Sequence, residues 1–248
     1  GEHSVIADPE HTELDQGYIQ YKNDGLTVKL GRQVIAIDGH RFVGHVGWRN
    51  DRQTFDALSV DYNVSKDVSI KYAYLDQRNR IFAEAADVDS KDHLFNVSYN
   101  TSVGKLVGYS YLLEADNGTD NGIDTYGVSF YGGTSTGDTK IIYGAEFATQ
   151  TNEAGGMEYD TSYMNLEAGA VFSGITTKVG YEVLGSDDGM KSFATPLATL
   201  HKFNGWADKF LSTPADGLVD TSLSLSTKKF GPKIAVIYHQ FDADNGNA

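Results

Sequence analysis

From Tyr159 to Leu184 the chain sorts its side chains by odd and even position. Met164, Leu166, Ala168, Ala170 and Phe172 fall on one side, and Tyr163, Asn165, Glu167 and Gly169 on the other. After a break at Ser173-Gly174 the alternation resumes, with Thr177, Val179, Tyr181 and Val183 opposed to Lys178, Gly180 and Glu182. Successive side chains of a strand point to opposite faces, so this stretch reads as a β-hairpin with one apolar face and one charged, glycine-rich face. The same unit recurs along nearly the whole chain, with no helical segments to cover the apolar faces. A closed barrel in a membrane resolves this, because lipid takes the apolar face and every backbone group pairs with a neighbouring strand. The expected fold is all-β, an antiparallel transmembrane β-barrel forming a single domain over residues 1–248.

Composition is compatible with that expectation. No run of 18 apolar residues occurs, which excludes a transmembrane helix. Barrel strands need only about 10 residues with every second one apolar. The absence of cysteine suits an exported protein that needs no disulfide, although many cytosolic proteins also lack it. A net charge of −14 argues against nucleic-acid binding, which wants a basic surface. The acidic residues crowd the presumed loops, so the overall charge need not describe a pore lining. The chain opens in an acidic, loop-like segment and stops at Asp242–Ala248 without the terminal aromatic residue common in bacterial barrels. It therefore reads as an internal section of a longer barrel, truncated at both ends.

Twelve strands are expected, at roughly 14–22, 26–33, 53–63, 67–76, 91–100, 104–114, 123–132, 138–149, 160–172, 174–184, 217–227 and 232–241. The segments 22–25, 63–67, 101–104, 132–137, 173–174 and 228–232 are short and rich in turn residues. Between them lie longer connections at 34–52, 77–90, 115–122, 150–159 and 185–216. Short and long alternate throughout, as expected for short periplasmic turns and long extracellular loops. The outward phase runs through Leu58, Val60 and Tyr62, then Val68, Ile70, Tyr72 and Tyr74, then Phe95, Val97 and Tyr99. It is expected to continue through Val107, Tyr109, Tyr111 and Leu113, and through the apolar positions of the later strands. Tyr62, Tyr74, Tyr99, Tyr126 and Tyr238 are candidates for aromatic girdles, whose rings sit at the interface with the hydroxyl wet.

The opposite phase carries charges of both signs, among them Lys71, Lys178, Glu146, Glu167 and Glu182. A water-filled lumen tolerates them, whereas a packed core would have to pair and desolvate them. The alternative is simple cross-bracing of neighbouring strands. The first long loop and its flanks hold Arg32, Arg41, Arg49 and Arg52 in a strongly acidic chain. Arginine binds carboxylates bidentately, so the cluster is a candidate selectivity element for an acidic permeant. Equally, Arg–Asp pairs with Asp38, Asp51 and Asp56 would pin the loop to the wall.

Gly31-Arg-Gln33, Arg41-Phe-Val-Gly44, Gly47-Trp-Arg49 and Gln53-Thr-Phe-Asp-Ala57 form one motif block. Thr195-Pro-Leu-Ala-Thr-Leu-His201, Phe203-Asn-Gly-Trp-Ala-Asp-Lys-Phe-Leu211 and Gly217-Leu form a second. Together they resemble the alginate export family of Gram-negative outer-membrane proteins. The resemblance implies a large monomeric barrel in the bacterial outer membrane, surrounded by lipid and lipopolysaccharide, whose positive lumen passes an anionic polysaccharide. The lumen phase here is mixed in sign and departs from that pattern.

In the longest connection, Leu197, Leu200, Phe203, Trp206, Phe210 and Leu211 approximate a helical stripe, with Thr195-Pro196 placed as cap and first position. Phe203, Trp206 and Phe210 mark it as a candidate gating loop, unless the stripe only packs loops together. No catalytic or metal-ligand spacing stands out, so neither an enzyme nor a cofactor is indicated. Asp116–Gly122 offers oxygen ligands but lacks the spacing of a calcium loop. The leading expectation is a porin-like channel for an anionic or polar solute. A structural or binding barrel with a plugged lumen comes second, and a membrane hydrolase a distant third.

Overall fold

The computed structural model describes residues 12–119 and 121–246, so Asp120 of the oxygen-rich loop and both extreme ends of the chain lie outside the described residues. One twelve-stranded antiparallel sheet dominates. Its strands are β1 (Gly17–Asn23), β2 (Leu26–Gln33), β3 (Thr54–Asn63), β4 (Val68–Asn79), β5 (Val88–Asn100), β6 (Gly104–Glu114) and β7 (Gly122–Thr136). They continue as β8 (Thr139–Ala154), β9 (Met157–Phe172), β10 (Ile175–Leu184), β13 (Leu218–Thr227) and β14 (Ile234–Asp242). A small ribbon of β11 (Ser186–Asp187) and β12 (Lys191–Ser192) sits in the connection between β10 and β13. Each strand of the large sheet pairs with its neighbour in the chain, and β10 skips the ribbon to pair with β13. Among the described residues β1 and β14 are the sheet's two edges.

Turn chemistry explains the short joints. Asp24-Gly25 and Ser173-Gly174 place both residues at positive φ, the twist that suits a two-residue hairpin. Gly155-Gly156 does the same between β8 and β9. The sequence suggests a loop over 150–159, but Gln150, Asn152 and their partners continue the ladder up to Ala154↔Met157. Both strands therefore reach 16 residues. A bilayer needs only about 9–11, so this hairpin projects past the apolar belt.

Pairing fixes which face meets lipid. Leu30, Leu58, Ile70, Val97, Tyr126, Val128, Phe147, Leu166, Val179 and Leu223 are exposed on one continuous outer face, as the alternation predicts. Strand β6 is the exception. Phe95 pairs with Ser110 and Val97 with Gly108, which turns Leu106, Gly108, Ser110 and Leu112 outward. Val107, Tyr109, Tyr111 and Leu113 face inward and are buried, contrary to the phase expected from their apolarity. Glycines on the next strands make room for inward rings. A Cβ on Gly127 would strike the Tyr109 ring, and one on Gly144 the Tyr131 ring.

The apolar core lies inside the wall. It joins Phe55, Leu75, Leu94, Leu184 and Leu218 of the strands to Ile37, Val43, Phe193 and Leu197 of the two longest connections. Those connections thus fold inward. The helical stripe expected beyond Thr195 does not form a helix: only a 3-10 turn, Leu200–Lys202, is present. The local bonds a helix needs are diverted, because the Thr195 hydroxyl receives Arg41 and the Pro196 carbonyl receives Arg80.

Candidate functional site

The connection between β2 and β3 leaves the wall at Gln33 and returns at Thr54. Inside the barrel it is joined to the β10–β13 connection by backbone bonds. Val43 and Leu197 form a parallel bridge, Gly44 N donates to Leu197 O at 2.8 Å, and Thr199 N donates to His40 O at 3.1 Å. The Gln53 side chain completes this clasp by donating to both the Gly44 and Leu197 carbonyls, at 2.7 and 3.0 Å. Gly44 is required at the close approach, since a Cβ there would collide with Thr199. At the tip, Asp38 accepts from Asn96 at 2.8 Å and from Lys105 at 2.9 Å. Lys105 is the second residue of β6 after its turn, so the clasp descends far into the lumen.

Phe42 anchors the clasp on the inward rings, 5.3 Å from Tyr109, 5.2 Å from Tyr163 and 5.8 Å from Phe193. Beside it, Arg41 donates to Glu182 at 2.6 Å, to the Thr195 hydroxyl at 3.3 Å and to Asn204 at 3.4 Å. Glu182 also accepts from the Tyr163 hydroxyl at 2.7 Å and from Asn204 at 2.8 Å. Burial alone would lower the Arg41 pKa, but the adjoining Glu182 carboxylate more than offsets it, and the guanidinium pKa is raised. Phe203 lies beneath the same guanidinium, 4.8 Å away.

Under the clasp lies a cavity of about 900 Å³. Its charged lining comprises Asp38, Glu146, Glu167, Glu182 and Asp220 with Arg41, Lys105, Lys178 and Lys202, and the His239 ring lies among them. Lys178 is paired with Glu167 at 2.7 Å. Glu146 accepts from Tyr109 and Tyr131, each at 2.9 Å. Asp220 lies 2.9 Å from His239 and accepts from Asn204 at 3.1 Å.

Seven of the residues singled out in the sequence meet here: Arg41, Lys178, Glu146, Glu167, Glu182, Phe203 and Trp206. The others lie elsewhere. Arg32 shares the outer phase with Leu30 and pairs with Asp56 at 2.8 and 2.9 Å, so it does not face the lumen. Arg52 is bound to Asp15 at 2.7 and 2.6 Å. Arg49 sits over the Trp48 ring at 4.1 Å. Lys71 pairs with Asp61 across the β3–β4 ladder, outside the cavity lining. Phe210 packs on Phe241 at 4.7 Å and is likewise outside it. Sequence reasoning missed Phe42, Lys105, Tyr109, Tyr131, Asn204 and His239 as lining or anchoring residues. The glycines opposite Tyr109 and Tyr131 were the available signal.

Residues 3–187 match the family described as alginate export. The chain belongs to the alginate export family. Within this alginate export chain, the motif residues Arg41–Gly44, Gln53 and Thr195–Leu197 build the clasp. Its fold is similar to that of OccD3 (OpdP) of Pseudomonas aeruginosa, with a TM-score of 0.71 and 12% identity over 95% of this chain and 60% of that one. OpdL of the same organism gives 0.72 at 12% identity, over 92% of this chain and 65% of OpdL. The outer membrane protein OpdK of P. aeruginosa gives 0.67 at 11% identity, over 90% of this chain and 63% of OpdK. The alginate export chain thus spans about three-fifths of the length of these structures. No curated protein matches it. The protein is an outer-membrane β-barrel protein.

Proposed function

We propose that the protein is a porin-like channel for an anionic or polar solute, with an acidic saccharide such as alginate as the cargo suggested by family membership. The observation that carries this reading is the cavity under the clasp, lined by charged side chains of both signs inside a wall whose outer face is apolar. A solute entering it exchanges water for fixed polar groups, which lowers its barrier without any chemical step. Charged side chains of both signs in the lining, Arg41, Lys105, Lys178 and Lys202 with Asp38, Glu146, Glu167, Glu182 and Asp220, support passage of a polar solute. The proposed surroundings are outer-membrane lipid and lipopolysaccharide against the apolar belt, with the protein acting as a monomer.

A plugged binding barrel is the second reading. It is favoured by the burial of Val43, Phe193 and Leu197, each 1% exposed or less, where the clasp meets the wall. Single-channel recording in planar bilayers separates the two. Discrete conductance steps with a reversal potential that shifts in a salt gradient support the channel. A correctly folded protein that inserts without conducting refutes it.

A further inference from the structure

An aromatic stack that the channel reading does not use reaches the cavity through Trp206. Trp48 stacks on His201 with centroids 3.9 Å apart, and His201 faces Trp206 at 6.4 Å, with interplanar angles of 24° and 20°. Asp208 fixes the His201 ring through a 2.7 Å contact to Nδ1. Trp206 ends the stack, lines the cavity and is 76% exposed. An indole held this way offers a flat apolar surface to an entering ring.

The charges below it narrow what that ring is. Of the four permanent cations in the lining, Arg41 is taken by Glu182, Lys105 by Asp38 and Lys178 by Glu167. Lys202 donates to the Gly39 carbonyl at 2.8 Å. Five carboxylates face these four cations. Glu146 and Asp220 are satisfied by tyrosine, asparagine and histidine rather than by lysine or arginine. A carboxylate offers about four acceptor positions, so these groups retain capacity for further donors. Hydroxyl groups supply donors. A second carboxylate supplies none and adds repulsion.

Resting on the channel reading but departing from the acidic cargo that family membership suggests, we infer that Trp206 and the cavity it lines form a saccharide site that takes a neutral, hydroxyl-rich ring in preference to an acidic one. The ring stacks on the indole, and its hydroxyls donate to the carboxylates of the lining. An aromatic acid would use the indole but leave those acceptors unmatched.

The sequence contains two tryptophans, both in this stack, so intrinsic fluorescence reports on the site directly. The full chain in detergent micelles is titrated with glucose, with glucuronate and with benzoate. Glucose is expected to change the emission saturably, and glucuronate to bind less tightly at low salt, with the gap closing as salt rises. Trp206→Ala is expected to weaken glucose binding about two- to tenfold, and Trp206→Phe to retain most of it. Tighter binding of glucuronate or benzoate, an unaltered affinity in Trp206→Ala, or no response to glucose overturns the inference. Conductance measured in parallel keeps the two readings apart. Conductance without a glucose response leaves the channel standing and removes the site. A glucose response without conductance does the reverse.

Discussion

Replacing Arg41 with Met tests whether one buried ion pair holds the two inward connections together. The Arg41 and Glu182 side chains are 8% and 13% exposed and approach to 2.6 Å. Removing one partner of such a pair costs about 3–5 kcal/mol, because the other charge stays buried without compensation. Tyr163 and Asn204 still donate to Glu182, which places the expected cost near the lower end, about 3 kcal/mol. The loss falls on the docking of the clasp, since no strand ladder passes through the Arg41 side chain. An opening equilibrium displaced by that amount changes roughly a hundredfold. Hydrogen exchange of the protein in detergent micelles, read by mass spectrometry, should show about that loss of protection in peptides from 34–53 and 193–204. Peptides from β7, β8 and β9 should exchange as before. Adding Glu182→Leu to Arg41→Met should restore most of the protection, because an apolar pair leaves no orphaned charge. Unchanged loop exchange in the single variant, or equal loss in the single and double variants, would refute the reasoning.

Acidification should loosen the same region. Burial lowers the pKa of His40, with His45 and Lys202 adding repulsion, and burial with Arg52 lowers that of His45, from ordinary values of 6.5. The undocked loop then binds protons more readily, so docking is fully stabilised above 6.5 and weakens as pH falls from there toward the docked values. Exchange in 34–53 should rise as pH falls below 6.5 beyond the intrinsic trend, and His40→Gln with His45→Gln should flatten that rise. Gly127→Ala should displace the Tyr109 ring and destabilise the protein by about 1–3 kcal/mol, seen as a lower denaturation midpoint. Because the chain has no cysteine, single labels are unambiguous. A probe on Gly108→Cys should be quenched by brominated lipid, and one on Ser222→Cys by a water-soluble quencher. Val179→Arg should cost about 2–4 kcal/mol near the midplane, and Lys178→Arg far less, measured by unfolding in lipid.

The wall was legible in the sequence because lipid and water act on alternate residues of each strand. That signal fails when both faces are apolar. In β6 the inward positions Val107, Tyr109, Tyr111 and Leu113 are as apolar as the outward ones, since the clasp rather than water covers them. Loop length misled at β8–β9, where polar residues suggest a loop and the backbone continues its ladder to Gly155-Gly156. The motif blocks located the clasp, and Phe203 and Trp206 did reach the cavity. Among the arginines' partners, Asp56 of Arg32 was one of the carboxylates the sequence offered, while Asp15 of Arg52 and Glu182 of Arg41 were not readable. Arg41 meets Glu182, 141 positions away, and no local spacing announces such a contact.

That separation has a kinetic side. Every ladder in the wall except β10–β13 joins strands in direct succession, so the sheet can grow hairpin by hairpin from nearby contacts. The clasp cannot form in this way. Its bridge joins Val43 to Leu197, and its ion pair needs β10 already in place. Closing so long a segment adds only about 0.6 kcal/mol per doubling of length, so the delay reflects order of assembly more than entropy. The order expected from these contacts is wall first and clasp last. A nascent barrel is then expected to pass through a stage whose bore the clasp has not yet entered, with docking of the clasp as the last event of folding.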